Sequence, residues 1–396
     1  MLNRFARAAR FVFAAHLLVS PLATLLASSP AIAETGVDAT RIIFGQTAAL
    51  EGPAKALGRG MRLGLLTAFA EANRSGGVHG RRLDLISLDD GYDPDKAIVA
   101  TKQLIYQDKV FALVGSVGSA LATQPIAAAA DVPFIGAFAG AEFLRHPFKP
   151  NVVNVRASFF DETETIVDHL VKDRHISRIA ILYQDDSFGR IVLTGVQRAL
   201  ARRHMNAIAD AAFQRNTTAV KLALLTIRKA QPEAVILIGP YRPAAAFIRV
   251  ARQLQMKAFF ATISFVGCDH LAKELGATGA GVVVTQVVPF PDDTSIPFVA
   301  RYHHALEAFD PHAVPGFVSL EGYLVGRLVV TALGKIPGAP TRRALLDTIF
   351  NNSFDFQGVR LTYHPNDNRG SNAVFMTRIK SDGTIKPIKS FAKVPK

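Results

Sequence analysis

The sequence predicts an α/β protein of two lobes, each built on a doubly wound parallel sheet. Three observations carry that expectation. Short apolar runs of β-type residues alternate with segments of helical periodicity. The alternating series occurs twice along the 396 residues, a length that allows two cores of ordinary size. No Pro/Gly-rich linker separates the two series, so the chain is expected to cross between lobes several times rather than through one flexible tether.

In the first series, Arg41 to Gln46 (RIIFGQ) reads as a strand. Met61, Leu65, Ala68, Phe69 and Ala72 share one helical face, and Gly76-Gly77 ends that helix. Leu83 to Leu88 is the second strand. Pro94 to Tyr106 fits a helix, with Asp93 as its cap and Pro94 in its first turn. Val110 to Val114 is the third strand, and Pro133 to Gly136 begins the fourth. In the second series, strands are expected at 179–183, 207–213, 234–238 and 281–288, with helices at 190–204, 219–230 and 244–255. Such alternation implies right-handed crossovers and parallel sheets covered on both faces. The tail differs: helices at 297–309, 317–333 and 342–350 precede short strands ending near Ile379.

The N-terminus belongs to neither series. Arg4, Arg7 and Arg10 precede an apolar run from Phe11 to Leu26, and Ala31-Ile32-Ala33 supplies a small-x-small cleavage pattern. That is the pattern of a signal peptide spanning residues 1–33. The apolar run falls short of the roughly 20 residues a membrane span requires. The single cysteine, Cys268, rules out an internal disulfide and leaves no attachment point for a lipid near the cleavage site. No later stretch reads as long and apolar enough to span a membrane. The mature chain is therefore expected to be soluble, in a bacterial periplasm. The formal charge is +13. Its lysines and arginines are scattered, without a basic block, which argues against nucleic acid as a partner.

Signatures of catalysis are missing. The sequence holds no G-x-S-x-G, H-E-x-x-H, C-x-x-C or G-x-x-x-x-G-K-[ST]. His303 and His304 are adjacent, so on a helix they diverge by about 100° and make a poor metal pair; they are expected to face solvent. Asp89, Asp90, Asp93 and Asp95 read as a strand-to-helix turn with caps rather than a metal cluster.

The stretch LVGSVGSALATQP is the strongest site signal. Its glycines, Gly115 and Gly118, have the wrong spacing for a dinucleotide fingerprint and follow the third strand rather than the first. What remains is electrostatic. Free amides at Ser119 to Ala122, the helix dipole, and the hydroxyls of Ser116, Ser119 and Thr123 would attract an anion. A second small-residue loop, Ala137 to Ala141, follows the next strand. Paired loops at the carboxyl ends of parallel strands are where open α/β sheets bind ligands; the alternative is that the glycines only serve tight turns.

With these motifs in place the mature chain resembles the branched-chain amino-acid (leucine/isoleucine/valine-binding-like) periplasmic substrate-binding proteins of ABC transporters. The resemblance rests on GQTAALEGPAKALGRGMRLGLLTAFAEANRSGGVHGRRLDLISLDDGYDPDKA, FALVGSVGSALATQP, VPFIGAFAGAEFLR, IAILYQDDSFGR and GFVSLEGYLVGRLVV. It implies a type I periplasmic binding fold, two lobes joined by three crossovers that close on a ligand. The N-terminal lobe would be residues 34–156 plus 287–355, and the C-terminal lobe 157–286 plus 356–396. It implies that Ser119, Ala120, Ala139, Gly140 and Ala141 hold the ligand's carboxylate, with Phe160, Phe188, Tyr241 and Phe317 as an aromatic wall.

The sequence departs from that family at one point. Binders of α-amino acids place an acid in a second-lobe loop, to pair with the ammonium. The alignment puts Ile263 or Ser264 there, with Asp269 the nearest acid; Glu321 or Asp185 are candidate substitutes. Ala139 also stands where a hydroxyl residue is often found. The resemblance thus implies a non-enzymatic receptor for a branched-chain amino acid or a related small carboxylate or amide. It implies no cofactor, a monomeric state and an inner-membrane ABC permease as partner. A ligand sensor feeding a membrane signalling protein is the alternative. An exported enzyme on the same scaffold is a third, and would need a nucleophile–base pair or a metal set.

Overall fold

The computed structural model describes residues 34–394. The expected signal peptide, 1–33, lies outside the described residues. The chain opens with β1 (Arg41–Ala48), α1 (Lys55–Arg74), β2 (Arg82–Asp89), α2 (Pro94–Tyr106), β3 (Ala112–Val114), α3 (Ala120–Ala129), β4 (Phe134–Ile135) and β5 (Val152–Val153). There follow α4 (Phe159–Arg174), β6 (Ile179–Gln184), α5 (Ser187–Ala201), β7 (Ala209–Phe213), α6 (Lys221–Lys229), β8 (Ala234–Ile238), α7 (Tyr241–Gln253), β9 (Phe259–Thr262), α8 (Cys268–Leu275) and β10 (Val283–Gln286). The tail holds α9 (Pro297–Phe309), α10 (Phe317–Gly334), α11 (Arg342–Phe350), β11 (Ser353–Asp355), β12 (Arg360–Thr362), β13 (Phe375–Ile379) and β14 (Ile385–Ile388).

Two large sheets result. The first runs β2-β1-β3-β4-β5, parallel throughout. The second runs β14-β13-β10-β9-β8-β6-β7, parallel except where β13 and β14 add an antiparallel edge. Central strands of such sheets are covered on both faces and read as unbroken apolar runs; every residue of β8 is buried. The chain passes from one sheet to the other after β5, after β10 and before β13. The first and third passages pair with each other: the Asn154 N–H donates to the Asn368 carbonyl at 2.9 Å, and the Gly370 N–H to the Asn154 carbonyl at 2.8 Å.

Local signals explain the helix starts. Asp93 caps α2 by accepting from the Asp95 and Lys96 amides at 2.9 and 3.1 Å. Ser158 and Asp161 form a reciprocal capping box at the start of α4. The Asp89 carboxylate serves the turns beside β2, accepting from the Leu50, Glu51 and Gly91 amides. Two expectations change. His303 is half-buried, with Nε2 at 2.7 Å from the Pro291 carbonyl, because α9 packs that face toward the chain before it; His304 alone is exposed. And α10 is, after all, long and apolar enough to cross a membrane, at 18 residues and mean hydropathy 1.4. Its burial, 83% of that window, marks it as a core helix.

The α10 helix packs closely on α1. A Cβ on Gly64 would overlap the Ser319 carbonyl oxygen and the Tyr323 amide of α10, so the two backbones touch where no side chain fits. Gly64→Ala is expected to lower the unfolding free energy in urea by about 3 kcal/mol. Gly334→Ala, at the open end of α10 with nothing within 4 Å, should leave it unchanged or slightly raised.

Candidate ligand-binding site

The carboxyl ends of β3 and β4 deliver two loops side by side. Val117 and Phe138 bridge them in parallel, and the Phe138 N–H donates to the Ser116 carbonyl at 2.9 Å. Gly118 takes a φ of +99°, and a Cβ there would run into the Tyr92 ring, so the loop needs glycine to pass that close. Ser119 stands at the start of α3 without using its side chain as a cap. The first amides of α3, at Ala120 and Leu121, have no partner within the helix and carry the positive end of its dipole. In the second loop the Gly140 carbonyl accepts from the Phe159 N–H at 2.7 Å, and a Cβ on Gly140 would stand 2.6 Å from that nitrogen.

The second sheet supplies the facing wall. Asp186 caps α5 through the Gly189 amide at 2.9 Å and so points Phe188 inward. The single turn Ser264–Val266 after β9 delivers Phe265. The Phe188 and Phe265 ring centroids lie 4.3 Å apart; Phe265 also meets Phe138 at 5.4 Å, and Phe159 meets Phe188 at 5.4 Å. Together with Ser119, Ala120, Leu121, Ala139, Ala141, Phe143 and Ile191 these rings enclose a cavity of about 50 Å³, room for little more than a water or two.

Arg215, which follows β7, crosses from the second sheet to the first. Its Nε donates to the Tyr92 carbonyl at 2.7 Å, and its Nη2 reaches the Gly118 carbonyl at 3.2 Å and the Ser119 Oγ at 3.3 Å. Its Nη1 pairs with Asp186 at 2.5 Å, and the guanidinium stacks 3.7 Å above the centre of the Tyr92 ring. Beside it the Gln184 amide donates to the Tyr92 hydroxyl at 3.2 Å, and Asn216 donates to the Gly91 carbonyl at 3.2 Å.

Beneath the aromatic floor lies a buried ionic cluster. The Arg156 guanidinium sits 4.7 Å from the Phe138 ring centre and 3.4 Å from both Glu162 and Glu321. Glu162 also accepts from the Ser264 amide at 2.8 Å and from the hydroxyls of Ser264 and Thr285 at 3.0 and 2.6 Å. Arg156 donates to the Ser264 hydroxyl as well. The cluster ties α4, β10, α10 and the Phe265 turn together. Burial pushes the Glu321 carboxyl up to about 7, against the pull of Arg156 and with Glu162 adding repulsion.

Of the residues singled out in the sequence, Ser119, Ala120, Ala139, Ala141 and Phe188 line this one cavity. Gly140 shapes it through Phe159 without lining it. Phe160 points elsewhere, beneath Arg198, and its neighbour Phe159 takes the lining position. Tyr241 lies against His270 in a separate groove of about 610 Å³ between α1 and α8. Phe317 packs on Phe290 and donates its N–H to Asp269. Glu321 is fully buried in the Arg156 cluster, and Asp185 is spent on Arg190 at the surface. Sequence reading missed Arg156, Arg215 and Phe265, all in loops or crossovers whose side-chain direction no periodicity encodes. Among the described residues no group of three or more His, Cys, Asp or Glu side chains is placed to hold a metal ion.

Comparison with known proteins agrees with this architecture. The family model of the periplasmic binding proteins matches residues 42–384. The Leu/Ile/Val-binding protein homolog 7 of Brucella suis is 25% identical over 339 residues, covering 82% of this chain and 83% of its own. The crystal structure of a possible leucine/isoleucine/valine-binding protein from Rhodopirellula baltica superposes with a TM-score of 0.85 at 37% identity, over 91% of this chain and 99% of that one. An ABC transporter substrate-binding protein from Sphaerobacter thermophilus shares the fold, with a TM-score of 0.74 at 23% identity, over 87% and 96% of the two chains.

Proposed function

This chain belongs to the periplasmic binding protein family, and we propose that it is the solute-capturing receptor of an ABC importer, exported by the segment 1–33. The solute is a branched-chain amino acid or a related small carboxylate or amide. The first lobe is then residues 34–156 plus 287–367 and the second 157–286 plus 368–394; the boundary expected at 355 moves past β12, because β11 and β12 pair with each other and the third passage runs through Asn368 beside Asn154. The observation that carries the reading is the meeting, around one cavity, of unpartnered helix-start amides from the first sheet with an aromatic wall from the second. The amides and the Ser119 hydroxyl hold the solute's negative end in the open form. Closure then brings Phe188 and Phe265 over its apolar part and expels water. A solute touching only one lobe binds open and closed forms equally and shifts nothing, so bridging is what drives closure. No bond is made or broken. The closed form is what a membrane permease would recognise.

Calorimetry on the purified protein, unfolded and refolded to strip carried-over solute, is expected to show one site per chain for at least one small carboxylate or amide. Gly140→Val, which forces the second loop away from Phe159, should abolish that binding while the protein stays folded. Undiminished affinity in this variant would overturn the assignment of the site.

A further inference from the structure

The chemistry of the cavity narrows the solute class, on the reading that this cavity is where the solute sits. Among the described residues lining it, none is acidic, and Arg215 is the one charged side chain. The carboxylates nearby are engaged or shielded: Asp90 is buried behind Tyr92 with one oxygen on the Tyr92 amide and the other unpaired, and burial pushes its carboxyl up to about 7. Asp186 holds Arg215, the Gln184 amide and the Gly189 N–H. Glu162 and Glu321 lie behind the aromatic floor, shared by Arg156, Ser264 and Thr285. Asp269 faces the other groove and accepts from Phe317. An ammonium brought into this space would therefore find no anion, and a buried cation without a partner is costly. Two of the lining rings already carry a cation: Arg156 stands over Phe138 and Phe159, at 4.7 and 5.9 Å. A cation–π contact to the remaining rings is weaker than the loss of an anionic partner for a buried ammonium.

A carboxylate meets the reverse situation. The amides at the start of α3 offer unpartnered donors. Arg215 presents Nη2 to the same spot, where it now rests on the Ser119 hydroxyl and the Gly118 carbonyl at 3.3 and 3.2 Å. Those are long contacts to neutral acceptors, and a short ion-paired hydrogen bond to a carboxylate is stronger. Behind the head the lining is apolar: Phe138, Phe143, Phe159, Phe188, Ile191 and Phe265. The stacked pair Phe188 and Phe265, 4.3 Å apart, fills the space that the solute's body would take. Phe265 sits on a single turn ended by Gly267 at a φ of +76°, whose backbone Ser264 anchors to Glu162.

We propose that the solute is an apolar monoanion: a carboxylate on an aromatic or branched hydrocarbon body, without an α-ammonium, whose head is completed by Arg215 from the second lobe. Phe265, in the loop where an ammonium-pairing acid was expected, is the specificity-determining residue that excludes amino acids. Closure places Arg215 and the α3 amides on opposite sides of one carboxylate, so the solute's charge bridges the lobes.

Matched pairs test this. Refolded protein is titrated with leucine and 4-methylpentanoate, with phenylalanine and 3-phenylpropanoate, and with 4-methylpentanamide. Each carboxylate is expected to bind at least about tenfold more tightly than its amino acid, and 4-methylpentanoate to exceed its amide by a similar factor. Phe265→Glu should narrow or reverse the first preference. Arg215→Met should weaken the carboxylates about tenfold or more and leave the amide nearly unchanged, with Arg215→Lys recovering part of the loss; a merely structural role for Arg215 would weaken both alike. Leucine binding as tightly as 4-methylpentanoate, or equal losses for carboxylate and amide in Arg215→Met, overturns the proposal and leaves the receptor reading standing. Failure of every compound to bind a protein that melts cooperatively overturns both.

Discussion

Replacing Arg156 by methionine is expected to cost the fold about 3–5 kcal/mol, read as a fall in unfolding free energy from urea denaturation. The side chain is 1% exposed and stands between two buried carboxylates, Glu162 and Glu321. Removing it leaves both acids in a site that repels charge, where protonation is the only relief. The size of the effect comes from stranding the partners rather than from the strength of the pair, whose 3.4 Å separations are long. Glu321→Gln should be far milder, because burial raises this acid to about 7 and so already leaves about half of it neutral at pH 7. The same logic gives a pH dependence. Burial raises Glu321 from its ordinary 4.5 to about 7, Asp90 from 3.8 to about 7, and Asp269 from 3.8 to about 6. A carboxyl that binds its proton more tightly when folded adds stability below its unfolded value and loses that contribution as pH rises through its folded value. Unfolding free energy is therefore expected to decline between pH 5 and pH 8, and Glu321→Gln to flatten part of that decline. A profile that rises across this range would contradict the burial of these acids.

The second large effect is on binding. Phe188→Ala is expected to weaken the best solute about thirtyfold, by about 2 kcal/mol, through the loss of an aromatic anchor. Phe188 is held inward by the cap at Asp186 and stacks on Phe265, so its truncation removes one face of the lid and lets water reach the solute. Phe188→Leu keeps much of the apolar volume and should lose less. Calorimetry on both variants decides it; equal affinities for Phe188→Ala and the unaltered protein would remove this wall from the site.

Much of the fold was legible because its signals are local. β8 is an unbroken buried run and was readable in full, and α2 and α9 begin at proline with helix-forming residues behind. What escaped was short, exposed or read from too few residues. β9 has four residues, all buried, next to a loop, and the eight-residue α8 follows it. β14 is a four-residue edge strand, Ile385 to Ile388, interrupted by Pro387 and too short to show a period of two. For α4 the sequence did hold a usable signal, the Ser158–Asp161 capping box, obscured by the acidic residues after it. The candidate site divides the same way. The first-sheet loops announce themselves by glycine, serine and position after parallel strands. The second-sheet residues, Arg215 and Phe265, reach the cavity only because the crossovers set one sheet against the other, and that is a tertiary fact. The resemblance pointed to Ile263 and Ser264, which do begin the turn after β9; the ring that lines the cavity is their neighbour Phe265.

Closure of two lobes on a solute is the centre of the account, and one distance measures it. Val99 on α2 and Leu222 on α6 are 67% and 81% exposed, and the single native cysteine, Cys268, is buried. Spin labels at Val99→Cys and Leu222→Cys therefore report the separation of the two lobes by pulsed electron paramagnetic resonance. A broad or bimodal distance distribution is expected in the stripped protein, collapsing to a single narrow population when the best carboxylate saturates it. A distribution that stays the same while calorimetry shows the site filled would contradict it.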